Sequence, residues 1–178
     1  MTIKEDLINF WYEYLSKRTT YPCILSSVEL SDDDIRAFKG YPLIRFDVIE
    51  INTESEGYLV SREIKDDLIE KYIFNAEYML EIQVYYKSDK KFDLDKLLYE
   101  LSNKNLFTRY TLNKDFKNRC FKDIVLRGDL KITNINDYLQ QQTISRYRYQ
   151  QNFIVDIEQE NIIPLAKIGN IKEVKNWD

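Results

Sequence analysis

The sequence predicts an α+β fold, a mostly antiparallel sheet with two main helices packed on one face. Three observations carry this reading. Several runs alternate apolar and polar residues at every second position, the period of a half-buried strand. Two other stretches repeat apolar residues at three- and four-residue spacing, the period of a helix. The two kinds follow one another as helix, strands, helix, strands, an order that fits strands paired mainly with their neighbours.

The first helix spans about four turns from residue 3. Ile3, Leu7, Phe10, Trp11, Tyr14 and Leu15 form its apolar stripe, Thr2 is a candidate N-cap, and Glu5 stands in capping-box register. Lys17 and Arg18 suit the negative end of its dipole. Tyr21-Pro22 reads as extended backbone. The run SDDDIRAFKG reads as a short helical turn capped by Ser31 and closed by Gly40. Its three successive aspartates, Asp32, Asp33 and Asp34, read as a solvated helix start rather than a cation site.

A strand over 43–52 places Ile44, Phe46 and Val48 on one face and Arg45 and Asp47 on the other. NTESEGY reads as a turn, and 58–64 as a returning strand. The stretch 65–75 fits a short helix or part of a hairpin. The next strand, 78–86, puts Leu80, Ile82, Val84 and Tyr86 opposite Glu81, Gln83 and Tyr85. Leu94, Leu97, Leu98 and Leu101 mark the second helix, with Asp93 as candidate N-cap. A strand over 124–133 is interrupted near Gly128-Asp129, and NINDYLQQQT reads as a loop. In the run 144–157, Tyr147, Tyr149, Gln151, Phe153, Val155 and Ile157 share a face. Arg146, Arg148, Gln150, Asn152 and Asp156 share the other, with Ile154 as an apolar exception. EQEN then reads as a turn, followed by a short strand over 162–166.

A length of 178 residues fits one domain, 1–178, able to bury a core. The hydrophobic fraction of 44%, with 14 Tyr and 9 Phe, argues against disorder. A net charge of −4 lacks the basic excess of a general nucleic-acid binder. Neither an apolar run of membrane-spanning length nor an export signal is visible, so no membrane association is expected. Cys23 and Cys120 stand far apart and read as two buried thiols, with a disulfide the less favoured alternative.

Chemistry-bearing residue types are thin. The chain has no histidine, which removes the commonest general base and metal ligand together. Phosphate-cradling glycine loops are absent from the sequence, and its acids are scattered. The expectation is therefore a protein without enzymatic activity, cofactor or metal. The Arg/Tyr run 144–157 admits a nucleic-acid platform, but its arginines and tyrosines alternate between faces, whereas a stacking platform needs both on one. The charged and amide residues Arg45, Asp47, Glu81, Gln83, Arg146, Arg148 and Gln150 instead mark a polar sheet face, a candidate subunit interface.

The order of LINFWYEYL, a YP segment, GYPLIRFDVIEI, YMLEIQVYY, a leucine-rich helix, ISRYRYQQNFIVDIE and IIPLAKIGNIKEV resembles the tail terminator and neck proteins of tailed bacteriophages. The resemblance covers most of the chain and rests on element order and local texture. It implies a structural virion protein at the head–tail joint, without catalytic residues, that forms a homo-oligomeric and often hexameric ring. Such a ring caps the tail tube, contacts tube and connector proteins, and lets genomic DNA pass through its lumen without specific binding. A head-completion adaptor or a tail-tube protein is the alternative within the same setting. A small nucleic-acid-binding domain is the alternative outside it. The basic stretch 107–123 is long for the family pattern.

Overall fold

A computed structural model describes residues 2–40, 42–53, 57–87, 95–113, 116, 118–135 and 144–164. In chain order the elements are α1 (Ile3–Arg18), β1 (Cys23–Leu25), α2 (Asp32–Ala37), β2 (Leu43–Thr53), β3 (Tyr58–Ile64) and β4 (Asp67–Lys87). They continue with α3 (Asp95–Ser102), α4 (Lys104–Leu112), β5 (Asp123–Asn134) and β6 (Ile144–Pro164). All six strands join one sheet in the order β1-β2-β4-β6-β5, with β3 also paired to β4. Every pairing is antiparallel except β1 with β2. The fold is thus mixed, with a mostly antiparallel sheet.

The spine of the sheet is a pair of 21-residue strands, β4 and β6, in unbroken register from Asp67↔Pro164 to Lys87↔Ile144. At the rise of an extended chain, each would span about 70 Å if straight. β4 is flanked in two halves. β2 pairs with its second half, up to Leu43↔Tyr85, and β3 with its first, from Ile64↔Leu68 to Tyr58↔Ile73. β5 lines β6 on the far side, with a break in register between Arg127 and Lys131.

Strand alternation separates the two faces. Ala76, Tyr78, Leu80, Ile82 and Val84 of β4 are buried in one core cluster with Ile44, Phe46 and Val48 of β2 and Tyr149, Phe153 and Val155 of β6. Leu7, Phe10, Trp11, Tyr14 and Leu15 of α1 enter the same cluster, as do Leu101 and Phe107. Trp11 stacks on Phe107 at 5.4 Å between ring centroids and meets Phe153 edge-on at 5.3 Å, which joins helix, helix and strand. The α1 capping box forms as its sequence dictates: Glu5 N–H donates to Thr2 Oγ1 at 3.2 Å, and Thr2 N–H donates to Glu5 Oε2 at 2.7 Å.

Two polar side chains tie the helical layer down. Asp6 is buried, and its Oδ1 accepts from Arg119 Nη1 at 2.8 Å while its Oδ2 accepts from the Cys120 N–H at 2.7 Å. Arg119 also reaches Glu13 at 3.1 Å. Glu100, buried as well, accepts from Tyr14 OH at 2.8 Å and pairs with Arg18 at 3.0 Å.

Several sequence expectations need correction. Four helices accompany the sheet among the described residues; α1, α3 and α4 contribute to the main core cluster, and the short α2 packs elsewhere. Ile35 of α2 packs with Phe38, Leu43 and Tyr85 in a small second cluster, and Tyr85 points away from the main core by strand parity. The short helix α2 is capped by Ser31 as expected, but it ends at Phe38 rather than at Gly40. β3 does not return along β2, because it pairs with β4. The stretch 65–75 is mostly strand, since β4 begins at Asp67. EQEN is no turn, and β6 runs through it to Pro164. Both cysteines are free thiols, but Cys120 is exposed and Cys23 half-buried, so the pair of buried thiols is not found. At position 120 the backbone N–H donates to the Asp6 carboxylate. The candidate cap Asp93 and the loop 136–143 lie outside the described residues.

Candidate interaction surface

The seven residues singled out from sequence fall on one face of three adjacent strands, opposite the core. Strand parity dictates this. Register sets Arg45 beside Gln83 and Gln83 beside Arg148, and it sets Asp47 beside Glu81 and Glu81 beside Gln150. β5 extends these rows with Thr133 beside Arg148 and Lys131 beside Gln150. Arg146 stands one row further along, beside Tyr85. Cross-strand neighbours of this kind lie about 5 Å apart at Cβ, so opposite charges and amides can meet.

They do meet. Glu81 is the hub: Gln83 Nε2 donates to its Oε1 at 2.6 Å, Gln150 Nε2 donates to its Oε2 at 2.9 Å, and Arg148 Nε lies 3.6 Å from its Oε1. Gln83 Oε1 accepts from Arg146 Nη2 and, at 3.1 Å, from Tyr85 OH. The Arg146 guanidinium also lies 5.0 Å from the Tyr85 ring centroid. Arg45 and Asp47 serve the chain itself. Arg45 Nη2 donates to the carbonyls of Ser26 at 2.6 Å and Val28 at 2.9 Å, and Asp47 accepts from the Val48 N–H. The result is a half-buried network whose side chains are already held in place before any partner arrives.

On the opposite face of the same tract the tyrosines pack against the chain itself. Tyr149 is 6% exposed and packed in the core, with its hydroxyl pKa pushed up to about 12, chiefly by burial. Tyr147 stacks on Tyr86 at 5.8 Å. Gln151, a polar residue on the buried face, donates through Nε2 to the Arg127 carbonyl at 2.7 Å and to the Asn152 carbonyl at 3.0 Å, while its buried Oε1 has no hydrogen-bond partner.

A second surface was not foreseen from sequence. The core cluster reaches Ala76 on β4 and Ile157 on β6. Beyond them, β3, the first half of β4 and the end of β6 form a three-stranded arm. All seven residues of β3 are exposed. Tyr58, Leu59, Val60 and Ile64 on β3 and Ile162 on β6 stand open to solvent, Ile64 at 71%. Polar cross-strand links hold the arm, Arg62 to Glu70 at 2.8 Å and Lys71 to Glu160 at 2.9 Å, and along β4 the Tyr72 hydroxyl donates to Glu70 at 2.8 Å. The Phe74 ring lies so close to Gly57 that a Cβ there would stand 2.7 Å from it. The signal in the sequence is the pairing of aliphatic strand residues with a lack of glycine and proline across 58–74, which permits one long ribbon.

A shallow cavity of about 430 Å³ lies between α3 and β5, lined by Leu98, Tyr99, Ser102, Asp129, Leu130 and Ile132. Among the described residues no group of three or more His, Cys, Asp or Glu side chains is placed to hold a metal ion. Among the same residues no helix is long and apolar enough to cross a membrane. Compared with models of known protein families and with curated proteins, the chain matches none.

Proposed function

We propose that this chain is a structural, non-enzymatic subunit of a tailed-bacteriophage particle, of the tail-terminator type. It assembles as a homo-oligomeric ring, with six copies as the expected number. The ring closes the tail tube and joins it to the connector, and DNA passes through without specific recognition. The observation that carries the reading is the arm. A long strand pair leaves the core and continues as a ribbon with exposed aliphatic side chains, a form suited to contact with other subunits. The resemblance in element order supports the phage setting. The ordered polar network around Glu81 supports a second contact surface, including Arg45, Asp47, Gln83, Arg146, Arg148 and Gln150, because its side chains lose little freedom on docking.

Two measurements test this. Light scattering on the purified protein is expected to give a mass several times that of one chain, with rings in negatively stained images. Quantitative mass spectrometry of purified particles is expected to count the chain at ring stoichiometry. Twelve copies would favour a head-completion adaptor, and a count rising with tail length would favour a tube protein. A strict monomer that is absent from particles overturns the proposal.

A further inference from the structure

The outward face of the sheet, opposite the core, is uneven in charge. On its β5–β6 half, register sets Arg148 beside Thr133, Gln150 beside Lys131 and Asn152 beside Arg127, and Arg146 continues the β6 row. These four cations face one carboxylate, Glu81 of the neighbouring β4, which already accepts from Gln83 and Gln150. The row from Arg146 to Asn152 runs about 20 Å at the rise of a strand. Arg127, Lys131 and Thr133 are exposed, and among the described residues neither Arg127 nor Lys131 is paired with an acid. Asp129 lies between them in the chain but turns to the helix side, where it lines the cavity beside α3. On the β2 half, Arg45 and Asp47 offset each other and are used within the chain. Toward the arm the same face carries Glu77, Asp123 and Asp156, so the basic patch has a border.

The patch also lacks the centre of a protein interface. No outward side chain over 146–152 of β6 or 127–133 of β5 is apolar, since Leu130 packs on the core and Ile132 lines the α3 cavity. The exposed aliphatic side chains of this face, Ile49 and Val125, lie outside it. Protein interfaces centre on apolar and aromatic side chains, whereas phosphate oxygens are met by arginine, lysine, amide and hydroxyl donors. We infer that the β5–β6 half of the outward face binds the phosphate backbone of duplex DNA, through Arg127, Lys131, Arg146 and Arg148, with the Thr133 hydroxyl as a further donor. The contact ignores sequence, because Tyr147 and Tyr149 of the same strand are packed on the other face and offer nothing to the bases. This names the partner of that half of the proposed contact surface. Its orientation, turned toward the passing duplex, rests on the ring reading.

Fluorescence anisotropy of a short labelled duplex, titrated with the full chain at several salt concentrations, tests this. The unmodified chain should bind, and unlabelled duplexes of unrelated sequence should compete equally. The logarithm of the binding constant should fall linearly with log salt, by about 0.9 for each phosphate neutralised. Arg127→Gln with Lys131→Gln removes two of the four cations at exposed positions and should cut that slope by about half, with the circular dichroism spectrum unchanged. Lys104→Gln with Arg109→Gln removes the same charge from the exposed side of α4 and should leave the slope as it is. If the double β5 variant misfolds, Lys131→Gln alone should remove about a quarter of the slope. A slope that falls equally in the β5 and α4 variants, or in neither, overturns the patch. Displacement of the duplex by polyglutamate as effectively as by DNA at equal charge also overturns it and assigns the surface to an acidic protein. Light scattering on the same samples tests the ring separately. An assembled chain that binds no DNA at low salt overturns this inference alone, and a monomer that binds DNA overturns the ring and leaves the binding surface standing.

Discussion

At the scale of single residues, a few buried polar contacts fix the helical layer in place. Asp6 holds both the Arg119 guanidinium and the Cys120 N–H, and the backbone through 119–121 is thereby pinned to α1. Removing one partner of a buried ion pair strands the other without solvent, which costs about 3–5 kcal/mol. Asp6→Ala should therefore lower the unfolding free energy extrapolated from urea titration by an amount in that range, and Glu13→Ala, whose carboxylate is more exposed, by far less. Asp156 works in the opposite direction. It stands directly across from Asp123, and its pKa is raised first by partial burial and then by that second carboxylate. A raised folded-state pKa means that the protonated acid favours folding. The contribution is full below the ordinary aspartate pKa of about 3.9 and is lost as pH rises through the higher folded value. Asp156→Asn should thus raise Tm at pH 7, and the gain should shrink toward zero as the scan pH is lowered below about 4. None of these contacts was legible in the sequence. Asp6 and Arg119 are 113 positions apart, and an acid in the first turn of an amphipathic helix looks like any solvated one.

At the scale of elements, the sequence was most legible where one face is dry. The stripe of α1 and its capping box, the alternation of β2, the second half of β4 and the Arg/Tyr run of β6 all hold. The errors cluster in the arm, because there both faces mix aliphatic and polar residues and the period of two loses contrast. Leu68, Ile69, Tyr72 and Ile73 are spaced as well for a helix as for a strand. Glu158, Gln159, Glu160 and Asn161 read as a turn only because they are polar, whereas β4 pairs with all four of them. Pairing partners were also beyond reach: that β3 skips β2 for β4 is set by three-dimensional register and not by chain order. The interruption of β5 was legible. Gly128 adopts a φ of +65° inside the register break, and there is open space where its Cβ would stand. Gly128→Ala meets no clash, so its whole effect is the left-handed backbone, roughly 1–2 kcal/mol. Chemical denaturation should find a loss of that size, and a similar one for Gly128→Ser. A loss several times larger would mean that the bulge also serves packing.

At the scale of the whole molecule, the body and the arm are built on one continuous strand pair but are stabilised differently. In the body, β4 is flanked by β2 and β6 and covered by a core that includes fully buried Phe46, Leu80 and Phe153. In the arm, it is flanked by β3 and the end of β6, and side-chain ion pairs replace the apolar cover. A surface pair such as Lys71 with Glu160 contributes about 0–1 kcal/mol, against roughly 1.5–3 kcal/mol for each large apolar side chain buried in the body. Opening of the arm should therefore be a local event of low free energy, and opening of the body should approach global unfolding. Hydrogen exchange on dilute, dissociated protein should show the amides of 58–64 exchanging orders of magnitude faster than those of 78–84. Raising the concentration until the chain assembles should slow 58–64 selectively and leave 78–84 unchanged, because a strand edge gains hydrogen-bond partners only when another copy supplies them. Equal protection of both segments in the dissociated state would mean that the arm is held by something other than its neighbours in the ribbon. Protection of 58–64 that stays the same on assembly would mean that copies meet through the Glu81 face instead.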